Sequence, residues 1–298
     1  RESQMHFDNP VIALIIPTLN AKQDIPALFA GIMQQTLQPQ HILVIYSSST
    51  DNTRELPADY PVKIHIIARK EFDHGGTRRL GTELVDADIY LFMTQDAYPA
   101  HPDAFKNLIT ALLSEENIGC AYGRQLPKLD ADLLSMHGRL CNYPDASLVK
   151  SYADRKKYGI KTCFNSDNLA AYKKSALEKS KGFPKKSITS EDAYVAAKML
   201  QCGYKIKYAA DAVIYHSHNL NLKQEFHRYF SLGVFHRREN WIIKEFSSAN
   251  GEGFRFVLSE LKFLIKNKKT SWIPKALIST CVKYFAYQVG RHENKIPL

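Results

Sequence analysis

Short apolar runs rich in β-branched residues alternate with helically spaced stretches through the first part of the chain. Val11–Ile16 is such a run, closed by Pro17, and predicts a buried, parallel strand. Asp24, with Pro26 just inside, opens a helix toward Gln35. His41–Tyr46 and Lys63–Ala68 read as the second and third strands. A polar loop, Ser47 to Asn52, follows the second. Gly76–Asp86 has helical spacing, Ile89–Met93 is a fourth strand, and Pro102–Glu115 a further helix. This alternation predicts an α/β fold with a mostly parallel, Rossmann-like sheet flanked by helices. Leu126–Tyr158 is less regular and reads as loops and short helices covering the sheet. Thr189–Asp192 opens a helix through Cys202 that Gly203 ends. Strand-like Tyr204–Tyr208 and Ala212–Tyr215 come next. From Phe254 onward the spacing is helical, as in Val257, Leu258, Leu261, Leu264 and Ile265, with lysines accompanying the apolar faces.

Residues 1–9 read as an N-terminal tail, with Arg1–Gln4 before Met5 having the look of a cloning remnant. Residues 10–240 read as one α/β domain, with halves at about 10–125 and 126–240. Residues 241–298 read as a basic helical region. No apolar run is long enough to span a bilayer, and no secretory pattern opens the chain. The five cysteines are odd in number and widely spaced, without a C-x-x-C pair. That suits reduced thiols and a cytoplasmic setting. The formal net charge of +10 asks for a polyanionic partner: a nucleic acid, an anionic membrane surface or a phosphorylated ligand. Aromatic residues are not interleaved with Lys and Arg as a stacking platform, which argues against nucleic acid.

In an open parallel sheet, ligands gather at the C-terminal ends of the strands, and the unusual residues cluster there. No G-x-G-x-x-G or P-loop motif is present. Asp96 follows the fourth strand. It suits a hard-cation ligand, and equally a turn or N-cap acid. His216 and His218, two apart after another strand, would share a face and could join such a site, or could be ordinary histidines. Glu191 and Asp192 open a helix. With Thr189 as N-cap, Asp192 falls at the capping-box position, so it is either a cap or a general base. Gly75 and Gly76 allow close backbone approach, the helix start at Gly76-Thr77 favours phosphate, and Arg78 adds a fork. The plainer alternative is a glycine turn with a surface arginine.

The order of these motifs resembles family-two glycosyltransferases, and within them bacterial rhamnosyltransferases. The resemblance runs through Ile15–Asn20, Ser47–Asp51, Glu71–Arg78, Thr94–Ala97, Ser190–Asp192, Gly203–Ile206, Ala212–Asn219 and Glu225–Gly233. It implies a GT-A-type fold and an inverting transferase acting on a nucleotide-sugar donor, with dTDP-L-rhamnose favoured. The acceptor would be a glycan or a lipid-linked molecule of bacterial surface polysaccharide. It further implies that Pro17, Thr18, Asn20 and Ser47 line the nucleotide pocket and that Asp73, Gly75, Gly76 and Arg78 meet base or diphosphate. Gln95 would neighbour the metal position, and Asp96 and His216 would bind Mg²⁺ or Mn²⁺. His218 would lie near the diphosphate, Arg228 in the late motif, and Asp192 would be the base, with Glu191 beside it. Tyr46 departs from the pattern: relatives place there an aspartate that reads the pyrimidine. That leaves open a donor with another sugar, or a non-catalytic glycan-binding module.

Overall fold

The computed structural model describes residues 9–48, 60–246 and 251–293. In chain order the strands are β1 Ile12–Thr18, β2 His41–Tyr46, β3 Lys63–Ile66, β4 Ile89–Met93, β5 Tyr98–Pro99, β6 Ile118–Leu126, β7 Leu148–Lys150, β8 Leu169–Lys173 and β9 Lys205–Tyr215. The helices are α1 Ile25–Met33, α2 His74–Leu84, α3 Ala104–Leu113, α4 Leu133–Asn142, α5 Arg155–Tyr158, α6 Lys174–Ser180, α7 Glu191–Gln201, α8 Leu222–Arg238, α9 Asn240–Phe246, α10 Glu252–Lys266 and α11 Ile273–Arg291. All strands form one sheet in the order β3-β2-β1-β4-β8-β6-β9-β5, with β7 also on β9. Strands β3, β2, β1 and β4 are mutually parallel. Strand β8 runs antiparallel between β4 and β6, and β9 is parallel to β6.

The central strands are buried on both faces, which is why their apolar runs are unbroken rather than alternating. Apolar clusters lie on the two faces of the sheet. Phe92, Tyr172 and Phe183 pack edge to face on one, and Phe29, Phe105 and Leu108 belong to the other.

Several expectations shift in detail. Pro17 does not end β1, which continues to Thr18. Pairing with β4 stops at Ile15, so the N–H that proline lacks is not needed on that side. The two strands expected at Tyr204–Tyr208 and Ala212–Tyr215 are one strand, β9, with a register shift against β6 after Gly123. There a Cβ on Gly123 would meet the Ala212 carbonyl oxygen at 2.4 Å. The irregular stretch holds a ten-residue helix, α4. The loop expected to run on to Asn52 lies, from Ser49, outside the described residues, as does the tail through residue 8.

Candidate active site

The ends of β4 and β9 bring Asp96, His216 and His218 together. Asp96 Oδ2 lies 3.4 Å from His216 Nε2 and 3.1 Å from His218 Nε2. One ligand atom from each falls within 4.8 Å of the others, a spacing a single cation can bridge. Burial works against the Asp96 charge, yet bonding and charge from His216, and then the charge of His218, hold it well below the usual carboxylate range. Burial pushes His216 down to about 4 and lowers His218 as well. At neutral pH the group is therefore one carboxylate and two neutral imidazoles, the protonation states a metal requires.

The orientation of the His216 ring follows from its neighbours. Arg139 Nη1 donates to Gln125 Oε1 at 2.6 Å, and a guanidinium can only donate, so that atom is the oxygen. The same oxygen lies 2.9 Å from His216 Nδ1, and the Asn168 amide nitrogen lies 2.8 Å from it. These contacts hold Nδ1 away from the cluster and turn Nε2 toward Asp96. Gln125 is itself held by Tyr143 and Ser166. Arg139, Arg228 and Lys128 add positive charge around His218. Of these three, sequence analysis singled out only Arg228. Gln125 and Arg139 sit on β6 and α4, in segments without a motif.

Beside this cluster lies a network of acids around Arg78. Arg78 Nε is 2.8 Å from Asp167 Oδ2, and Nη1 is 2.7 Å from Glu191 Oε1, all three side chains buried. The fork expected to hold diphosphate is thus taken up by two carboxylates of its own chain. Asp167 also accepts from Tyr172 at 2.5 Å. Asp192, half-buried, stands next to them. Burial, with Glu191 and Asp167 nearby, pushes its carboxyl well above the usual range, and Asp167 is raised to about 6.

The capping-box expectation for Asp192 does not hold. Ser190 adopts a left-handed φ of +58°, and α7 starts one residue later than expected, at Glu191. Asp192 then accepts from the adjacent Ala193 N–H at 2.7 Å. No side chain caps this helix.

The Asp73 segment is likewise corrected. Helix α2 starts at His74, and Asp73 is its N-cap, accepting from Gly76 N at 2.7 Å and from Ser187 N at 2.8 Å. A Cβ on Gly75 or Gly76 would meet the Pro184 or Lys185 carbonyl at 2.8 Å. The glycines serve packing against the Pro184–Ser187 segment, and this helix start is covered by protein instead of being open to phosphate. Gln95 clamps the Leu19 peptide from both sides, accepting from its N–H at 2.7 Å and donating to its carbonyl at 2.9 Å. It shapes the loop after β1 rather than offering its amide to a ligand. Pro17 and buried Thr18 end β1, and exposed Asn20 follows in that loop at a left-handed φ of +50°. Tyr46 and Ser47 are buried at the end of β2.

A mixed sheet flanked by helices, with an Asp-His-His cluster at its strand ends beside a carboxyl of raised proton affinity, has the architecture of a GT-A-type fold. Residues 13–180 match the model of glycosyl transferase family 2, and the chain belongs to that family: it is a glycosyltransferase. It is 48% identical over 289 residues to the O-antigen chain rhamnosyltransferase RfbN of Salmonella typhimurium, covering 96% of this chain and 91% of that protein. It is 44% identical to the O-antigen chain rhamnosyltransferase WbaN of Salmonella anatum, covering 97% and 92%. Among solved structures, the mannosyltransferase PcManGT of Pyrobaculum calidifontis, in complex with GDP-Man and Mn²⁺, superposes with a TM-score of 0.61 at 18% identity, over 92% of this chain and 87% of that one. S. aureus TarS with UDP-GlcNAc gives 0.55 at 14%, over 95% and 91%. At these identities the two structures speak for the fold alone.

Proposed function

We propose that the protein transfers L-rhamnose, with inversion, from dTDP-L-rhamnose to a glycan or lipid-linked acceptor in O-antigen synthesis. The observation that carries this reading is the similarity to two O-antigen chain rhamnosyltransferases over nearly the whole chain. The site chemistry supports it. Asp192 takes the proton of the acceptor hydroxyl as its oxygen attacks the anomeric carbon. The bond from that carbon to the diphosphate oxygen breaks on the opposite face, and its electrons leave with the nucleotide. One displacement inverts the centre, and positive charge develops on the sugar as in glycoside hydrolysis. A divalent cation held by Asp96, His216 and His218 would offset the charge of the leaving diphosphate. Two imidazoles and one carboxylate suit Mn²⁺ better than Mg²⁺, which prefers oxygen ligands. Arg139 and Arg228, whose charges act on His218, would offset diphosphate charge beside that cation.

Metal-dependent hydrolysis of a panel of nucleotide sugars tests the reading. We expect dTDP-L-rhamnose to be turned over fastest, and faster with Mn²⁺ than with Mg²⁺. Preference for another donor would replace the sugar and keep the reaction class, an outcome to which Tyr46 in place of the family's aspartate gives weight. No turnover of any donor would leave the non-catalytic alternative. An anionic membrane surface belongs to the same proposal, because a lipid-linked acceptor lies there and α10 and α11 expose Phe254, Ile265, Tyr284 and Phe285 among lysines.

A further inference from the structure

Lys150, the last residue of β7, is 3% exposed. Burial pushes its amine down to about 7, and no carboxylate is among the groups that act on it. Its Nζ donates to the Phe164 carbonyl at 2.6 Å, to the Lys161 carbonyl at 3.1 Å and to the Tyr122 hydroxyl at 3.3 Å. The Tyr122 and Phe164 rings lie 5.2 and 5.8 Å from it. A buried amine without a counter-charge is costly. An apolar side chain of the same length would fill the space without that cost, so what the amine adds is the direction of its bonds.

Those bonds hold the start of a segment that both halves of the site use. Residues 164–168 run from the turn at Gly159–Cys163 to β8 and belong to no helix or strand. Their path must therefore be fixed by other bonds than a ladder. Asn165 donates to the Tyr172 hydroxyl at 2.6 Å, and Ser166 Oγ receives Gln125 Nε2 at 2.7 Å. Asp167 pairs with Arg78, and Asn168 Nδ2 lies 2.8 Å from His216 Nδ1. The segment thus reaches the acid network through Asp167 and the Asp-His-His cluster through Ser166 and Asn168. We infer that Lys150 is a positioning residue for the metal cluster: by tying down the Lys161 and Phe164 carbonyls, it sets where Ser166 meets Gln125 and where Asn168 meets His216. The inference rests on the metal reading of the proposed function and adds to it a residue that bonds to none of the three candidate ligands.

Calorimetric titration of Mn²⁺ in the presence of dTDP tests this, at a temperature where circular dichroism shows each variant folded. Lys150→Met keeps the stem and removes the donor. It should weaken Mn²⁺ by about tenfold or more, the scale on which metal sites respond to loss of the groups that orient their ligands. Lys150→Gln, with an NH₂ on a shorter side chain, should fall between Lys150→Met and the unmodified protein, and it carries the test if Lys150→Met does not fold. Combined with Asn168→Ala, Lys150→Met should lose less affinity than the two single losses added together, because one acts through the other. Affinity equal to that of the unmodified protein, with only the melting temperature lowered, overturns the assignment. So do fully additive losses, and so does failure of both Lys150 variants to fold, which would make the amine a requirement of the fold as a whole. No Mn²⁺ binding by the unmodified protein is a different result: the metal reading fails, and the positioning role with it. Hydrolysis of dTDP-L-rhamnose reads the transferase proposal separately.

Discussion

Single atoms decide most of the chemistry at this site. Asp96 makes the metal cluster possible, because His216 and His218 are both within 3.4 Å of the same oxygen. Asp96→Ala should abolish Mn²⁺-dependent binding of dTDP, read by titration calorimetry, with a melting temperature close to wild type. Asp192 and its neighbours give a second, signed expectation. Asp192→Asn keeps size and the contact to Ala193, so stability and donor affinity should hold while transfer falls about a hundredfold or more. Transfer by the unmodified protein should fall as pH drops through a limb above the ordinary carboxylate range, because burial and two neighbouring acids raise the Asp192 carboxyl and protonation removes the base. Glu191→Gln deletes one of those negative charges and frees Arg78 to favour the remaining ones, so the limb should move to lower pH. A limb that stays in place would mean that another group titrates there. Arg78 is expected to behave as a structural residue. Replacing it by Met leaves Asp167 and Glu191 buried without their cation, a loss of about 3–5 kcal/mol in urea unfolding. A diphosphate ligand on the surface would instead cost donor affinity at unchanged stability.

At the scale of elements, α8 and α11 approach each other closely. A Cβ on Gly290 would meet the Phe230 carbonyl oxygen at 2.1 Å, and one on Gly233 the Tyr287 oxygen at 2.3 Å. The helices cross backbone to backbone, which only glycine permits at the crossing. That crossing sets Glu225 on α8 against Ser279 and Lys283 on α11. Gly290→Ala must push the helices apart and should cost about 1–3 kcal/mol, measured by chemical unfolding. In the helical spacing of Gly233 and Gly290 nothing announces this: either glycine, read alone, is a weak position in a helix. The strand β8 makes the same point from the other side. Leu169-Ala-Ala-Tyr-Lys173 has little intrinsic strand preference, yet it is fully buried between β4 and β6. Long-range pairing overrides local propensity there, and the loop just before it delivers Asp167 and Asn168 to the site.

For the whole molecule, charge and exposed apolar surface converge on the C-terminal helices. Phe254, Leu258 and Ile265 recur at spacings of four and seven on α10, an exposed stripe, and Arg255, Lys262 and Lys266 flank it. Among the described residues no helix is long and apolar enough to cross a membrane. A surface contact is the remaining way for such a face to use a bilayer. Vesicles containing anionic lipid should co-sediment the protein and neutral vesicles should not, and binding should weaken as salt rises. Phe254→Ser with Ile265→Ser should weaken binding while leaving the melting temperature within a few degrees, since both side chains are exposed. Equal binding to neutral and anionic vesicles, or none to either, would exclude this surface as a membrane contact.

The strand-and-helix alternation, the family, and Asp96 and His216 as candidates for one cluster could all be read along the chain, because each depends on local pattern or on a short motif at a strand end. Which partners those residues meet could not. Arg78 has the chemistry of a phosphate fork in any sequence; only the fold brings Asp167, distant in the chain, within 2.8 Å of it. Asp73, Gly75 and Gly76 look like a phosphate-binding helix start, but the chain around Pro184–Ser187 closes over them. Gln125 and Arg139 carry no motif and yet determine which nitrogen of His216 faces the cluster. A motif specifies what a side chain is able to bind. The packing of segments far apart in sequence decides what it does bind, because a charge or donor buried by that packing must take whichever partner the fold supplies.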